Sequence, residues 1–235
     1  MPSRAAYNVS VMAQVFTTSV PTELLAGMRE AQRALGSAEV IVIPTDTVYG
    51  IAADAFSPGG VAALLEAKGR TRQSPPPVLV ASTATIDALA SEVPDLVREL
   101  LDRFAPGPLT VILPAQPSLS WDLGETHGTV ALRIPDHAIT LELLRTTGPL
   151  AVSSANRHGE PAPATAAAAQ EQLGDSPALY LDAGEVGGEA STILDATGMT
   201  GAEPRPARIV RQGALPRAAI AEVLGELLAP EETIG

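Results

Sequence analysis

No cysteine occurs among the 235 residues. That absence excludes a disulfide framework, a thiolate metal site and a cysteine nucleophile, so the fold has to stand on packing alone. Aromatic residues make up only 3%. A core must therefore come mainly from Val, Leu, Ile and Ala, as in buried strands packed under small-residue helices, which favours an α/β or α+β class. Positive charge is also scarce: 15 Lys and Arg stand against 27 Asp and Glu, a formal net charge of −12. Such a balance opposes a broad electrostatic footprint on RNA, because that binding leans on many cation contacts to phosphate. A small anionic ligand needs only local positive charge and stays open. No apolar run reaches membrane-spanning length, and no basic stretch followed by an apolar region opens the chain. Neither export nor insertion is expected, which makes a cytoplasmic location the default.

What is present reads as one domain of alternating strands and helices. Residues 1–11 look like an unpatterned, disordered leader, and residues 12–235 like a single domain with no internal repeat. The segment MAQVF predicts a first strand. After Thr22, a suitable N-cap, Leu24, Leu25, Met28, Ala31 and Leu35 share one helical face that Gly36 ends. EVIVI, from Glu39, is a short buried strand stopped by Pro44, with PTDTVYG as its exit loop, and VAALLEAKG is a helix ending near Lys68. Further strands are expected at PVLVA, LTVILP, TVALRIP, PLAVSS, ALYLD, STILD and ARIVR. Helices are expected around 85–90, 95–104, 139–146, 164–173 and 216–228. Strands adjoin both helices and other strands, so the sheet should be mixed.

Four constellations carry polar chemistry. Lys68, Arg70 and Arg72 alternate at a helix end; in an extended segment, period-two geometry aims all three to one side, where they suit a polyanion such as a triphosphate. Cations that merely complement a helix dipole explain them equally well. Pro75, Pro76 and Pro77 stiffen the chain just after this cluster. PTDTVYG gathers Thr45, Asp46, Thr47 and Tyr49 just past a buried strand, where loops hold polar ligands, although an ordinary turn has the same composition. AVSSANRHG ends a strand in Ser153 and Ser154 with Asn156 beyond, donors suited to phosphate or ribose oxygens, with no Asp–His pattern to make either serine a nucleophile. Ser191 and Thr192 come after a double glycine, and Arg133 and Arg211 each sit on an expected strand, where an inward guanidinium needs an anionic partner and an outward one does not. His127, His137 and His158 lack ligand spacing and read as surface residues, so no protein-held metal is expected; magnesium would arrive on nucleotide phosphates.

Taken in order, PTDTVYGIAADA, KGR, PGPLTVIL, TVALRIP, SSAN and STILD followed by IVRQG resemble the blocks of the YrdC/TsaC family of threonylcarbamoyl-adenylate synthases, over about residues 15–213. The resemblance implies a YrdC/RibB-like α/β (α+β) fold: a twisted, open mixed sheet with flanking helices and a deep basic concave face. It implies ATP-phosphate and catalytic roles for Lys68 and Arg70, and further ATP contacts from Arg72, Thr110, Ser153, Ser154, Asn156 and Arg211. Thr45, Arg133 and Ser191 would line the threonine end. Asp46 stands where the family often has Glu, and TRQSPPP replaces its usual loop after KGR.

The reaction implied joins L-threonine, bicarbonate or carbon dioxide, and ATP-Mg2+ into threonylcarbamoyl-AMP and pyrophosphate, the first step of N6-threonylcarbamoyladenosine formation in tRNA. The functional partner implied is the enzyme that transfers the threonylcarbamoyl group to tRNA; strong direct nucleic-acid binding and membrane binding are not expected. A paralogue of the same fold with a different acyl acceptor stays open, and two further rivals remain at this point. One is a non-catalytic RNA-binding or ribosome-associated module on the same fold, which the acidic charge balance opposes. The other is a carbamoyl-adenylate enzyme of hydrogenase maturation, whose usual acyl-phosphatase and zinc-finger segments are not seen here.

Overall fold

A computed structural model describes residues 13–201 and 203–231; the expected leader, 1–11, lies outside them. Among the described residues, ten strands form one mixed sheet: β1 (Gln14–Thr17), β2 (Ile41–Ile43), β3 (Gly50–Asp54), β4 (Val78–Leu79), β5 (Leu109–Pro114), β6 (Thr129–Arg133), β7 (Leu150–Ser154), β8 (Leu179–Asp182), β9 (Thr192–Asp195) and β10 (Arg208–Arg211). Their spatial order is β1-β8-β2-β3-β7-β4-β6-β5-β9-β10. Seven α-helices connect them: α1 (Pro21–Gly36), α2 (Pro58–Lys68), α3 (Thr83–Leu89), α4 (Asp95–Phe104), α5 (Ala138–Thr147), α6 (Ala166–Leu173) and α7 (Arg217–Leu224).

The helices divide unevenly between the two faces, and that inequality makes the site. One face is covered along its length: Leu64, Ile86, Leu100, Ala169 and Ile220, from α2, α3, α4, α6 and α7, pack in one core with Val111, Leu113, Leu132 and Leu194. On the other face, Ala31, Ala34 and Leu35 of α1 and Leu143 and Leu144 of α5 cover only Ile41, Ile43, Ala52, Leu79, Leu150 and Val152, with Leu179 and Leu181. Beyond β4, no helix among the described residues packs into the core on that second face. Strand alternation then decides what it presents. Val111 and Leu132 point into the covered core, whereas their neighbours Thr110, Ile112, Ala131 and Arg133 line an open cleft.

Several local signals behave as their chemistry dictates. The Ser57 hydroxyl accepts the Gly60 amide at 3.1 Å, Pro58 occupies the first turn of α2, and Gly69 closes the helix in the left-handed region at φ 64°. Three prolines confine β4 to two residues, since Pro77 offers only its carbonyl, which takes the Val152 amide at 2.8 Å.

Other expectations need correction. β3 falls where the sequence pattern shows no strand, yet it is a central one, paired with β2 and with β7. Gly50, Ala52 and Ala53 have weak strand preference, and burial on both faces removes the alternation that would have betrayed it. α1 starts two residues earlier, with Pro21 in its first turn and Val20 at the cap instead of Thr22. Its buried side is Gly27, Ala31, Ala34 and Leu35, while Leu25 stays 60% exposed. A side chain at position 27 would collide with Leu181 and Phe16, so the helix packs closest at its smallest residue. Of the histidines, His127 and His158 are exposed as expected, but His137 is half-buried with an Nδ1 that has no hydrogen-bond partner.

Candidate active-site cleft

The cleft encloses about 300 Å³. Its floor is the uncovered half of the sheet, and its walls are the β2–β3 loop, the proline segment 75–77 and the β5–β6 connection through Leu123 and Thr126. Thr45, Arg70, Thr110, Arg133, Ser153, Ser154, Ser191 and Arg211 all line it. Residues far apart in sequence are thus brought to one cavity.

At one end Arg133 is buried and held by three segments. Its Nε donates to the Gly107 carbonyl at 3.0 Å, Nη1 to the Thr47 hydroxyl at 2.9 Å and Nη2 to Asp46 Oδ1 at 2.6 Å. Asp46 Oδ1 also accepts the Asp136 amide at 3.0 Å. Gly107 cannot be larger, because a Cβ there would lie 2.5 Å from the Phe104 carbonyl oxygen. Burial lowers the affinity of Arg133 for its proton and Asp46 opposes that shift; an arginine stays charged regardless. Thr45 organises the loop: its hydroxyl donates to the Val48 carbonyl at 2.6 Å and accepts the amides of Thr47 and Val48 at 3.2 Å. The sequence does not reveal Asp46, Thr47 and the Gly107 carbonyl as the partners of Arg133. The first two lay inside a recognised motif, but nothing in the sequence pairs them with Arg133, 87 positions from Asp46.

Two further guanidinium groups line the same cleft, and Arg70 is the less satisfied of them. Arg70 Nη1 donates to the Ser153 hydroxyl at 3.1 Å, while its buried Nε has no partner. Arg211 grips Ser191, donating from Nε and Nη2 to its carbonyl at 3.1 and 2.7 Å and from Nη2 to its hydroxyl at 3.0 Å. That hydroxyl lies 2.8 Å from the one on Thr110. The loop carrying Ser191 is clamped by Gly213, where a Cβ would sit 2.2 Å from the Ala190 carbonyl oxygen. Burial lowers the pKa of Arg70, and burial together with the charges of Arg133 and Arg70 lowers that of Arg211. Three guanidinium groups therefore share one field with Asp46 as the carboxylate paired to one of them, a local excess of positive charge within an acidic protein.

Three expected ATP contacts stand elsewhere. Lys68 is 1% exposed, on the last turn of α2 behind the serine wall. Its Nζ donates to the Ser154 carbonyl, to the Asn156 carbonyl at 2.6 Å and to Asn156 Oδ1 at 3.4 Å. Burial first, and the Arg70 charge second, pull its pKa down to about 7. The Asn156 amide nitrogen is spent within its own loop, on the carbonyls of Arg157 and Glu160, both at 2.8 Å. Arg72 is paired outside the cleft with Asp122, Nη1 to Oδ2 at 3.0 Å and Nη2 to Oδ1 at 2.6 Å. The three cations fail to alternate along one extended side because Gly69 reverses the backbone and a turn comes next, closed by the Ser74 amide on the Thr71 carbonyl at 3.1 Å.

Against this geometry, a family model described as telomere recombination, spanning the Sua5, YciO and YrdC proteins, matches residues 33–213. The chain belongs to that family. Among Sua5/YciO/YrdC relatives, a Mycobacterium tuberculosis protein provisionally named threonylcarbamoyl-AMP synthase is 49% identical over 91% of this chain and 96% of its own length. The Bacillus subtilis threonylcarbamoyl-AMP synthase is 36% identical over 84% of this chain and 56% of its own. Pyrococcus abyssi Sua5 complexed with L-threonine superimposes with a TM-score of 0.80 at 32% identity, covering 92% of this chain and 62% of the archaeal one. The chain thus spans under two thirds of that Sua5. Escherichia coli YciO shares the fold, with a TM-score of 0.74 over 86% of this chain and 96% of its own, at 20% identity. These likenesses bear out the expected mixed α/β fold and the family read from the sequence blocks.

Proposed function

We propose that the protein is an L-threonylcarbamoyladenylate synthase, a nucleotidyltransferase that joins L-threonine, bicarbonate or carbon dioxide, and ATP, with release of pyrophosphate. The observation that carries this reading is the cleft itself. Arg70, Arg133 and Arg211 converge there with the hydroxyls of Thr47, Ser153 and Ser191, in a chain whose relatives bear that enzyme's name. Arg133 keeps one uncommitted N–H on each terminal nitrogen after its three bonds, the donor pattern that receives a carboxylate. We assign the threonine carboxylate to it, and the ATP phosphates to Arg70 with Ser153 and to Arg211.

The chemistry asks little of a base. The amine of threonine adds to carbon dioxide and loses a proton, giving a carbamate. A carbamate oxygen then forms a bond to the α-phosphorus of ATP while the bond to the β-phosphate oxygen breaks, and pyrophosphate departs. The nucleophile is already an anion, so acceleration comes from in-line positioning and from fixed positive charge around the reacting phosphate. No general base has to be found among the lining residues. Lys68 contributes indirectly in this reading, by fixing Ser154 and Asn156 behind the phosphate wall.

Among the described residues, no group of three or more His, Asp or Glu converges as a metal site, and the cleft lining carries no carboxylate. Magnesium therefore suits the nucleotide phosphates better than a protein cage, and there it would add charge neutralisation. Among the described residues no helix is long and apolar enough to cross a membrane; we assign the enzyme to the cytoplasm on the strength of its substrates. Its adenylate product would pass to the enzyme that modifies tRNA. The formal charge of −12 weighs against a non-catalytic RNA-binding module.

Pyrophosphate release by the purified protein, with ATP, magnesium and bicarbonate, tests the proposal. Release should require L-threonine. Serine should support it with kcat/KM lower by about 10- to 200-fold, since a methyl group in an apolar pocket contributes only that much, whereas valine should be inert. Release independent of the amino acid would overturn the assignment.

A further inference from the structure

Arg133 is the group on which the amino-acid end turns, and three different segments determine where its guanidinium lies. Gly107 and Thr47 offer neutral oxygens; Asp46 offers the one charge, at 2.6 Å. All three bonds have a cationic donor, but only this one joins two opposite charges, and as the shortest of the three it adds Coulombic attraction to the direction in which it holds the fork. Asp46 is itself prevented from swinging away. Its Oδ1 takes the Asp136 amide at 3.0 Å, and the Thr140 hydroxyl donates to the Pro44 carbonyl, so the β2–β3 loop is fastened at two points to the start of α5. On the other side, the Gly188 amide donates to the Thr47 carbonyl at 2.6 Å, tying the same loop to the segment that carries Ser191. Asp46 is not a lining residue of the cleft, so it acts on a ligand only through Arg133.

We infer that Asp46 is the positioning residue for the amino-acid carboxylate, holding the Arg133 fork in the one plane in which its two remaining N–H groups face the substrate. The inference rests on the assignment of the threonine carboxylate to Arg133. It also makes a prediction about sign. If Asp46 acted merely as a negative charge near an anion site, removing the charge would strengthen binding of a carboxylate. If it positions the fork, removing it weakens binding, and a neutral acceptor in its place should weaken binding less.

The experiment measures KM for L-threonine and for ATP, together with calorimetric binding of L-threonine alone, in wild-type protein, Asp46→Asn, Asp46→Ala and Arg133→Ala. Asp46→Asn should raise KM and Kd for threonine about three- to tenfold, and Asp46→Ala by more than tenfold. KM for ATP should stay within about twofold in both. Unchanged or tighter threonine binding in Asp46→Asn overturns the inference, and so does a parallel rise in both KM values, which would mark a merely structural carboxylate. Asp46→Asn alone decides the sign if Asp46→Ala fails to fold. Should Arg133→Ala retain wild-type threonine affinity, the assignment of the carboxylate to Arg133 falls instead, and the two failures are told apart.

Discussion

The two ends of the cleft are built on opposite plans. At the end proposed for the amino acid, Arg133 has a carboxylate, a hydroxyl and a carbonyl as partners, and Thr45 saturates its own loop before any ligand arrives. At the end proposed for the phosphates, Arg70 has one serine and an idle Nε, and no carboxylate lines the wall. A small zwitterion brings little charge of its own, so its seat has to be rigid in advance. A triphosphate brings several charges and completes an unfinished set of cations. The settled end should therefore hold the fold as well as the substrate, and the unsettled end should serve the ligand alone.

Arg70→Ala is the largest test of that contrast. Because Arg70 has one protein partner, its loss should leave the melting temperature close to wild type. The activity should nevertheless fall by about 100-fold or more in kcat/KM for ATP, as when a fixed donor to a reacting oxyanion is removed. A variant that melts far below wild type would show the phosphate end to be structural after all. One that keeps its activity would move the phosphates elsewhere.

Lys68 sits between the two plans: three carbonyl-type oxygens hold a buried ammonium whose pKa is pulled down to about 7 by burial and by Arg70. Between about pH 7 and the ordinary lysine value of 10.5, the unfolded chain binds a proton that the folded chain releases. Stability from this group therefore rises with pH across that window, and is lowest below it. Melting temperatures of wild type and Lys68→Met, measured from pH 6 to 9.5, should diverge in favour of wild type above pH 7. A constant gap would mean that the ammonium is fully at ease in its seat, and that Lys68 belongs with the settled end.

How much of this is legible in the sequence depends on the range of each signal. Local signals carry well: Gly69 as a helix stop, α4 over its full span, and the β5 strand are all readable from neighbours in sequence. β3 escapes because an alanine-rich strand buried on both faces has no period to detect. In the site, every residue type is recognisable, but the division between lining and support is not. Lys68 and Asn156 support the wall, and Asp46 supports Arg133; each assignment depends on contacts spanning 86 to 88 positions for Lys68 and 87 for Asp46, which no spacing rule encodes.

Arg72 offers the smallest effect and the finest discrimination. Its pair with Asp122 is exposed, at 58% and 43% for the two side chains, and solvent and salt screen such pairs so that they contribute little. The same strand of contacts continues through the Arg72 carbonyl, which takes the Glu125 amide at 2.8 Å, so backbone and not side chain anchors this loop to the β5–β6 connection. Arg72→Ala should accordingly leave the melting temperature close to wild type, and shift KM for ATP by less than about threefold. Asp122→Ala, which frees the guanidinium, should be equally mild. If Arg72→Ala instead raised KM for ATP tenfold or more while Asp122→Ala lowered it, Arg72 would have to leave Asp122 when nucleotide binds. The phosphate end would then be unfinished in a stronger sense, with one of its cations held in reserve on the rim and Asp122 competing with the nucleotide for it.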